Sequence, residues 1–205
     1  MADICYIIGA GEVTETSLIA DETDYIICAD GGYKYKDLLG RECDMVVGDF
    51  DSFGSVPTTD KKVVAPTEKD ETDMMLAVNF GFEKGYENFV ILGALGGERN
   101  DHSVANIQLL HYITSKGARG TIYHGEEVFT AFADGTLTLS ADLKGYVSVF
   151  SLTDESRGVT IENLKYTLEG ATLYSYMPIG VSNEFLGKES SIAVEEGSLL
   201  VVYKK

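Results

Sequence analysis

The chain has 205 residues, 44% hydrophobic and 24% charged, an ordinary globular composition with room for one large domain or two small ones. Its net charge of −17 argues against nonspecific nucleic-acid binding, which needs basic surface to neutralise phosphates; a cationic ligand, or an anionic one escorted by metal, fits better. No apolar run approaches a membrane span, Met1-Ala2-Asp3-Ile4-Cys5 has no signal-peptide pattern, and the three cysteines form no C-x-x-C pair, so a reduced, cytoplasmic protein is expected.

The first part alternates short apolar runs with helix-like segments. Strands are predicted over 4–8, 25–28, 44–47, 63–64, 89–92 and 120–123. Helices are predicted over 14–20, 33–39, 72–84 and 103–116. In the last, Val104, Ile107, Leu110 and Ile113 recur at helical spacing. Cys5 and Cys28 fall in strand-like runs and read as small buried hydrophobes. Strand alternating with helix implies a mainly parallel sheet with flanking helices. Ligands of such sheets bind beyond the carboxyl ends of the strands. The polar, glycine-rich segments 9–11, 29–32, 48–52, 66–73 and 93–102 all directly follow predicted strands, so parallel strands would bring all five to one edge.

The pattern changes near residue 125. From there strand-like runs recur over 128–132, 136–139, 146–150, 159–161, 171–174, 190–194 and 199–203. Turn residues separate them, including Ala133-Asp134-Gly135 and Glu195-Glu196-Gly197. This is an antiparallel sandwich or barrel pattern. The expected organisation is an α/β domain over 1–125 followed by an antiparallel β-sandwich over 126–205.

In Gly48-Asp49-Phe50-Asp51-Ser52 two carboxylates lie two residues apart, on one side of an extended segment. They suit a divalent cation that also holds substrate phosphates; the same residues also make a plain turn. In Asp70-Glu71-Thr72-Asp73, Asp70 suits a helix cap and Glu71 and Asp73 suit the first turn, while Asp73 can also join the acids at the edge. Lys69 is either a phosphate contact or a surface lysine. Gly96-Gly97 lets a backbone approach phosphate, Arg99 offers a charged fork, and Asp101 is either a site residue or a cap. Asp30-Gly31-Gly32 cradles a ligand or makes the turn. There is no Walker A loop, no nucleophile elbow, and no zinc spacing among His102, His111 and His124.

Ala29-Asp30-Gly31-Gly32, Gly48 to Ser52, Lys69 to Asp73, the Gly-Gly…Arg-x-Asp-His segment over 96–102, and Ser182-Asn183-Glu184-Phe185 occur in that order. Together they resemble the thiamine pyrophosphokinase family along nearly the whole chain. The family's pattern runs Gly-Gly-Arg-x-Asp-His, and here Glu98 intervenes before Arg99. The resemblance implies an ATP-binding α/β domain and a thiamine-binding β-sandwich. The implied reaction moves a diphosphoryl group from ATP to the hydroxyethyl oxygen of thiamine and releases AMP. Asp49, Asp51 and Asp73 are the implied Mg2+ ligands and catalytic residues. Asp30, Gly31, Gly32, Lys69, Arg99, Asp101 and His102 are the implied nucleotide contacts. Ser182 and Asn183 are the implied thiamine contacts, with an aromatic such as Tyr176 or Phe185 nearby, in a homodimer whose active site lies between subunits. A diphosphokinase acting on another hydroxymethyl substrate, such as a pterin, and a non-catalytic nucleotide- or thiamine-binding module are the alternatives.

Overall fold

The run Cys5–Ile8 forms β1, and all four of its residues are buried, as expected of an apolar run without alternation. The structure is a computed structural model that describes residues 3–13, 18–48, 62–64, 70–97 and 99–205. The predicted helix over 14–20 lies partly outside them, and residues 18–20 are not helical. The chain divides into two compact units: Met1–Leu109 with Ile122–Gly125, and Leu110–Thr121 with Glu126–Lys205.

In the first unit β1 lies between β2 (Tyr25–Ala29) and β5 (Asn88–Leu92), parallel to both. Beyond β2 come β3 (Met45–Gly48) and β4 (Lys62–Val64), also parallel. Strand β6 (Arg119–His124), of which only residues 122–124 belong to this unit, follows β5 in the strand order. The order therefore runs outward from β1 to β4 and then returns to β5 on the other side of β1. A cleft is expected at that reversal, beyond the carboxyl ends of β1 and β5. Helix α1 (Asp73–Glu83) packs over β1, β2 and β3, and Ile8, Ile26, Cys28, Val46 and Leu92 form part of one core. Helix α2 spans Asn100–Ser115.

The amino ends of the strands are tied by carboxylates. Asp24 accepts from Ile4 N and Asp21 N, each at 2.8 Å. Asp44 accepts from Ile26 N at 2.9 Å and pairs with Arg41, which also donates to the Asp24 carbonyl. These acids complete backbone hydrogen bonding that the sheet leaves open.

Two expectations need correction here. The helix predicted over 33–39 is a 3-10 helix over Asp30–Tyr35. It starts directly from β2, because Asp30 takes a positive φ of 46° and turns the chain at once. The cap of α1 is Thr72, not Asp70: its side chain accepts from Met75 N at 3.2 Å.

The second unit is built on two long antiparallel strands, β7 (Glu127–Leu139) and β12 (Ser190–Lys204). Around them lie β8 (Tyr146–Ser151), β9 (Glu155–Glu162), β10 (Leu168–Tyr174) and β11 (Asn183–Glu184). The opposite edge of β12 pairs with β9 along its first half and with β8 along its second. The turns predicted at 133–135 and 195–197 are not chain reversals. They face each other as an irregularity between Val194 and Ser198 on β12, opposite Gly135 and Ala133 on β7. Gly197 N donates to Asp134 Oδ1 at 3.2 Å, and both residues have positive φ. A bulge uses the same residue types as a turn but bends a strand instead of ending it. Phe132, Val149, Ile161, Ile192 and Leu199 are among the residues buried in this unit's core. The fold is therefore mixed α/β, with parallel strands in the first unit and antiparallel ladders in the second.

Candidate active site

A cavity of about 480 Å³ opens at the strand-order reversal of the first unit. Ala10 and Gly11 reach it from the end of β1, Ala29 and Asp30 from β2, and Gly93, Ala94, Gly96 and Gly97 from β5. The start of α1 adds Thr72, Asp73 and Met74, and the start of α2 adds His102, Ala105 and Asn106. Strand ends and helix starts thus converge as parallel topology demands.

Several glycines are here because backbone meets backbone. A β-carbon on Gly9 or Gly11 would lie 2.7 or 2.6 Å from Gly93 O. One on Gly32 would lie 1.9 Å from Ile8 O. Gly32 is therefore a packing residue, and neither it nor Gly31 lines the cavity.

Asp30 stands apart from the strand-tying acids. Its Oδ1 is buried and has no hydrogen-bond partner among the described residues. A buried carboxylate oxygen without a partner is costly, and this one belongs to a residue lining the cavity. Gly48 packs directly on it: a β-carbon there would lie 3.0 Å from Asp30 Cα. The end of β3 is thereby set beside Asp30.

Among the predicted residues, the cavity gathers Asp30, Asp73, Arg99 and His102. Arg99 lines it despite the preceding Glu98. Its guanidinium grips Asp101 through Nε to Oδ1 at 3.0 Å and a terminal nitrogen to Oδ2 at 2.7 Å. That hydrogen bond pulls the Asp101 carboxyl down to about 2 and raises Arg99. Asp49, Asp51 and Lys69 lie outside the described residues. Among the described residues, no group of three or more His, Cys, Asp or Glu is arranged to hold a metal. Glu71, expected only as a first-turn acid, and Asn106 join the cavity beyond the residues predicted for it. Glu71 accepts from Asn79 Nδ2 at 3.1 Å, and Asn106 is buried and donates to Ala94 O at 2.7 Å. The only sequence signal for Asn106 was a polar residue one turn beyond His102.

In the second unit, Ser182 is exposed, with a positive φ of 62°. Its N–H donates to Ser148 Oγ at 3.1 Å. Asn183 is buried; its Oδ1 accepts from Tyr166 N at 2.9 Å and its Nδ2 donates to Tyr166 O at 2.7 Å. Tyr176 is exposed against Tyr174, whereas Phe185 packs on the core and Tyr203.

The sequence model for the catalytic domain of thiamin pyrophosphokinase matches residues 16–122, more than half the chain. The chain belongs to the thiamin pyrophosphokinase family. A second model, for the vitamin B1 binding domain of thiamin pyrophosphokinase, matches residues 136–199. A thiamine pyrophosphokinase from Bacillus subtilis (strain 168) is 26% identical over 162 residues, 76% of this chain and 75% of that one. A crystal structure of the Bacillus subtilis thiamine pyrophosphokinase superposes with a TM-score of 0.82 at 23% identity, covering 99% of each chain. That from Geobacillus thermodenitrificans gives 0.78 at 25% identity, covering 98% of this chain and 97% of that one. Membership makes this an enzyme of the thiamine diphosphokinase class.

Within the thiamin pyrophosphokinase family frame, the catalytic-domain match takes in Asp30, Asp73, Arg99, His102 and Asn106, while Ala10 and Gly11 lie just before it. The vitamin B1 binding match takes in Ser182 and Asn183. No helix among the described residues is long and apolar enough to cross a membrane.

Proposed function

We propose that the protein transfers a diphosphoryl group from ATP to the hydroxyethyl oxygen of thiamine, with AMP as the second product. The observation that carries this is the cavity at the strand-order reversal. There Arg99 and His102 stand with Asp30 and Asp73 around a glycine turn. Positive and negative groups at one strand edge suit a polyphosphate that arrives with a cation.

The orphaned, buried Oδ1 of Asp30 and the Asp73 carboxylate fit a hard divalent cation. Asp49 and Asp51, which follow Gly48 in sequence, complete the proposed Mg2+ set with Asp73. When bound, Mg2+ supplies charge neutralisation for the triphosphate. Arg99 faces phosphate oxygens, and Asp101 orients Arg99. Lys69 and His102 are further proposed contacts to the nucleotide. Gly31 and Gly32 serve it through the turn that presents Asp30.

In the transfer itself, the thiamine hydroxyl oxygen bonds to the β-phosphorus. The bond from that phosphorus to the oxygen of the α-phosphate breaks, and the electron pair leaves with AMP. The hydroxyl proton passes to a carboxylate, for which Asp51 and Asp73 are the candidates. Positioning and electrostatics carry most such transfers.

Ser182 is the proposed thiamine contact, and Asn183 acts by fixing the segment that carries it. The irregularity in β12 between Val194 and Ser198, with β9 paired before it and β8 after it, supports reading the second unit as a β-sandwich. The exposed Tyr176, Ile179 and Val181 suit a face covered in a homodimer, the assembly that brings each sandwich to a partner's cavity. Incubation with ATP, Mg2+ and thiamine tests the reading: AMP and thiamine diphosphate should form in equal amounts. Thiamine binding without AMP would sink it.

A further inference from the structure

Ser103 and Asn106 stand three residues apart on α2, on one face of the helix. Both grip the chain that leaves β5. Ser103 Oγ accepts from Gly96 N at 3.1 Å. Asn106 Nδ2 donates to Ala94 O at 2.7 Å, from a residue only 6% exposed that still lines the cavity. From the side of β1, Gly9 N donates to Leu92 O at 2.8 Å and Gly11 N to Gly93 O at 3.0 Å. The main chain from Leu92 to Gly96 is thus held on two sides, and it ends where Gly97 and Arg99 enter the cavity.

Gly93, Gly96 and Gly97 have φ of 62°, 75° and 81°. Glycine reaches such angles freely, but a segment with three of them has many alternatives when untethered. The two side-chain bonds from α2 select one conformation before any ligand arrives. Binding to a turn already in place avoids an ordering cost.

We propose that Ser103 and Asn106 are positioning residues for the polyphosphate of the nucleotide, holding the 93–97 turn so that Gly97 and Arg99 meet it without rearrangement. This rests on reading the cavity as the ATP site. Neither side chain has to touch the substrate. Ser103→Ala leaves the Gly96 N–H without its protein acceptor, and Asn106→Ala leaves the carbonyl of the buried Ala94 without its donor.

The test compares wild type, Ser103→Ala, Asn106→Ala and Ser103→Thr by calorimetric titration with ATP and Mg2+ and by steady-state kinetics. Asn106→Ala should bind ATP about tenfold more weakly with a matching rise in ATP KM, the scale of one lost buried hydrogen bond, and Ser103→Ala about threefold, because its bond to the exposed Gly96 N–H is partly replaced by water. The thiamine KM should stay within about twofold, and Ser103→Thr, which keeps the hydroxyl, should restore wild-type affinity. If Asn106→Ala does not fold, Ser103→Ala decides, because Ser103 is only partly buried. Unchanged ATP affinity in the folded alanine variants overturns the proposal. So does an equal rise in both KM values that Ser103→Thr shares. A wild type that binds ATP without forming AMP defeats the activity reading, and the affinity comparison still decides the positioning role. A wild type that does not bind ATP overturns both.

Discussion

The side chain of Asn183 holds both main-chain polar groups of Tyr166, accepting from its N–H at 2.9 Å and donating to its carbonyl at 2.7 Å. Its Oδ1 also accepts from Glu184 N at 2.9 Å. A buried carboxamide committed in this way ties β11 to the segment before β10 and fixes the residue just before it, Ser182. Asn183→Ala should lower stability by roughly 1–3 kcal/mol, since it strands hydrogen-bonding groups in a buried place. It should also raise the thiamine KM while the ATP KM stays near wild type. Thermal unfolding and the two KM values check this. A stable variant with an unchanged thiamine KM would remove Asn183 from the substrate site altogether.

Gly32 and Gly48 should respond differently to alanine. At Gly32 the added carbon would sit 1.9 Å from a strand carbonyl, Ile8 O. Backbone of a central strand has nowhere to go, so Gly32→Ala should misfold or lose several degrees of melting temperature. At Gly48 the added carbon meets Asp30 Cα at 3.0 Å. Gly48→Ala should leave a folded protein in which Asp30 and the acids after β3 are displaced. Turnover should fall by about 10²-fold, the scale of a misplaced catalytic group. Circular dichroism and an AMP assay separate the two outcomes.

Asp49→Asn and Asp73→Asn test the carboxylate set itself. Each should reduce turnover by about 10²–10³-fold, the range for removing one electrostatic contributor, with little change in melting temperature. Raising Mg2+ should recover part of the loss. Full activity in either variant would take that residue out of the metal site.

The Arg99–Asp101 pair fixes a pH expectation. Asp101 is depressed to about 2 by the Arg99 hydrogen bond. A depressed carboxyl contributes above its ordinary titration range, and the contribution is lost as pH falls through the folded value. The pair therefore stays ionised throughout the neutral range. Any change in ATP KM between pH 5 and 8 should come from other groups, a window set by the unperturbed histidine and carboxylate ranges. A carbon-13 titration of Asp101 should give a midpoint near 2 in wild type and a return toward ordinary aspartate in Arg99→Gln.

Much of the first unit was legible because its signals are local. Apolar runs such as Cys5–Ile8 mark buried parallel strands, and the glycine-rich segments 9–11, 29–32 and 93–102 after them bring residues to the cavity. What escaped depends on residues distant in sequence. Gly9 and Gly11 belong to one of the glycine-rich segments, but the reason they are small is that Gly93 O, more than 80 residues later, lies against them. Asp134 and Gly197 look like two turns, yet they are 63 residues apart and hydrogen-bonded to each other. The resemblance implies Asn183 as a thiamine contact, but nothing local in the sequence signals that its side chain also ties the main chain of Tyr166, 17 residues earlier. Asn106 gave little sign because its partner carbonyl, on Ala94, belongs to another element.

The cysteines give a stability expectation at alkaline pH. Burial, helped by the Asp44 charge, pushes the Cys5 thiol up from 9.0 to about 12. Cys28 is also raised, by its hydrogen bond to Cys43 and by burial, while that bond lowers Cys43. All three are buried and unbridged. A thiol whose folded value exceeds its unfolded value keeps its proton in the native state while the unfolded chain ionises. Stability is then unaffected below the unfolded value and falls as pH rises toward the folded one. For Cys5 that window runs from 9.0 to about 12. Within it one proton is worth about 1.4 kcal/mol per pH unit. Urea unfolding of wild type should weaken steadily from pH 9 to 10.5, and Cys5→Ala should show a shallower slope despite a lower starting stability. An aromatic disulfide reagent should titrate three thiols in denaturant and react first at Cys43 in the native protein, because Cys43 keeps 7% exposure while Cys5 and Cys28 have none. Identical alkaline slopes in wild type and Cys5→Ala would show that Cys5 does not stay protonated in the folded chain.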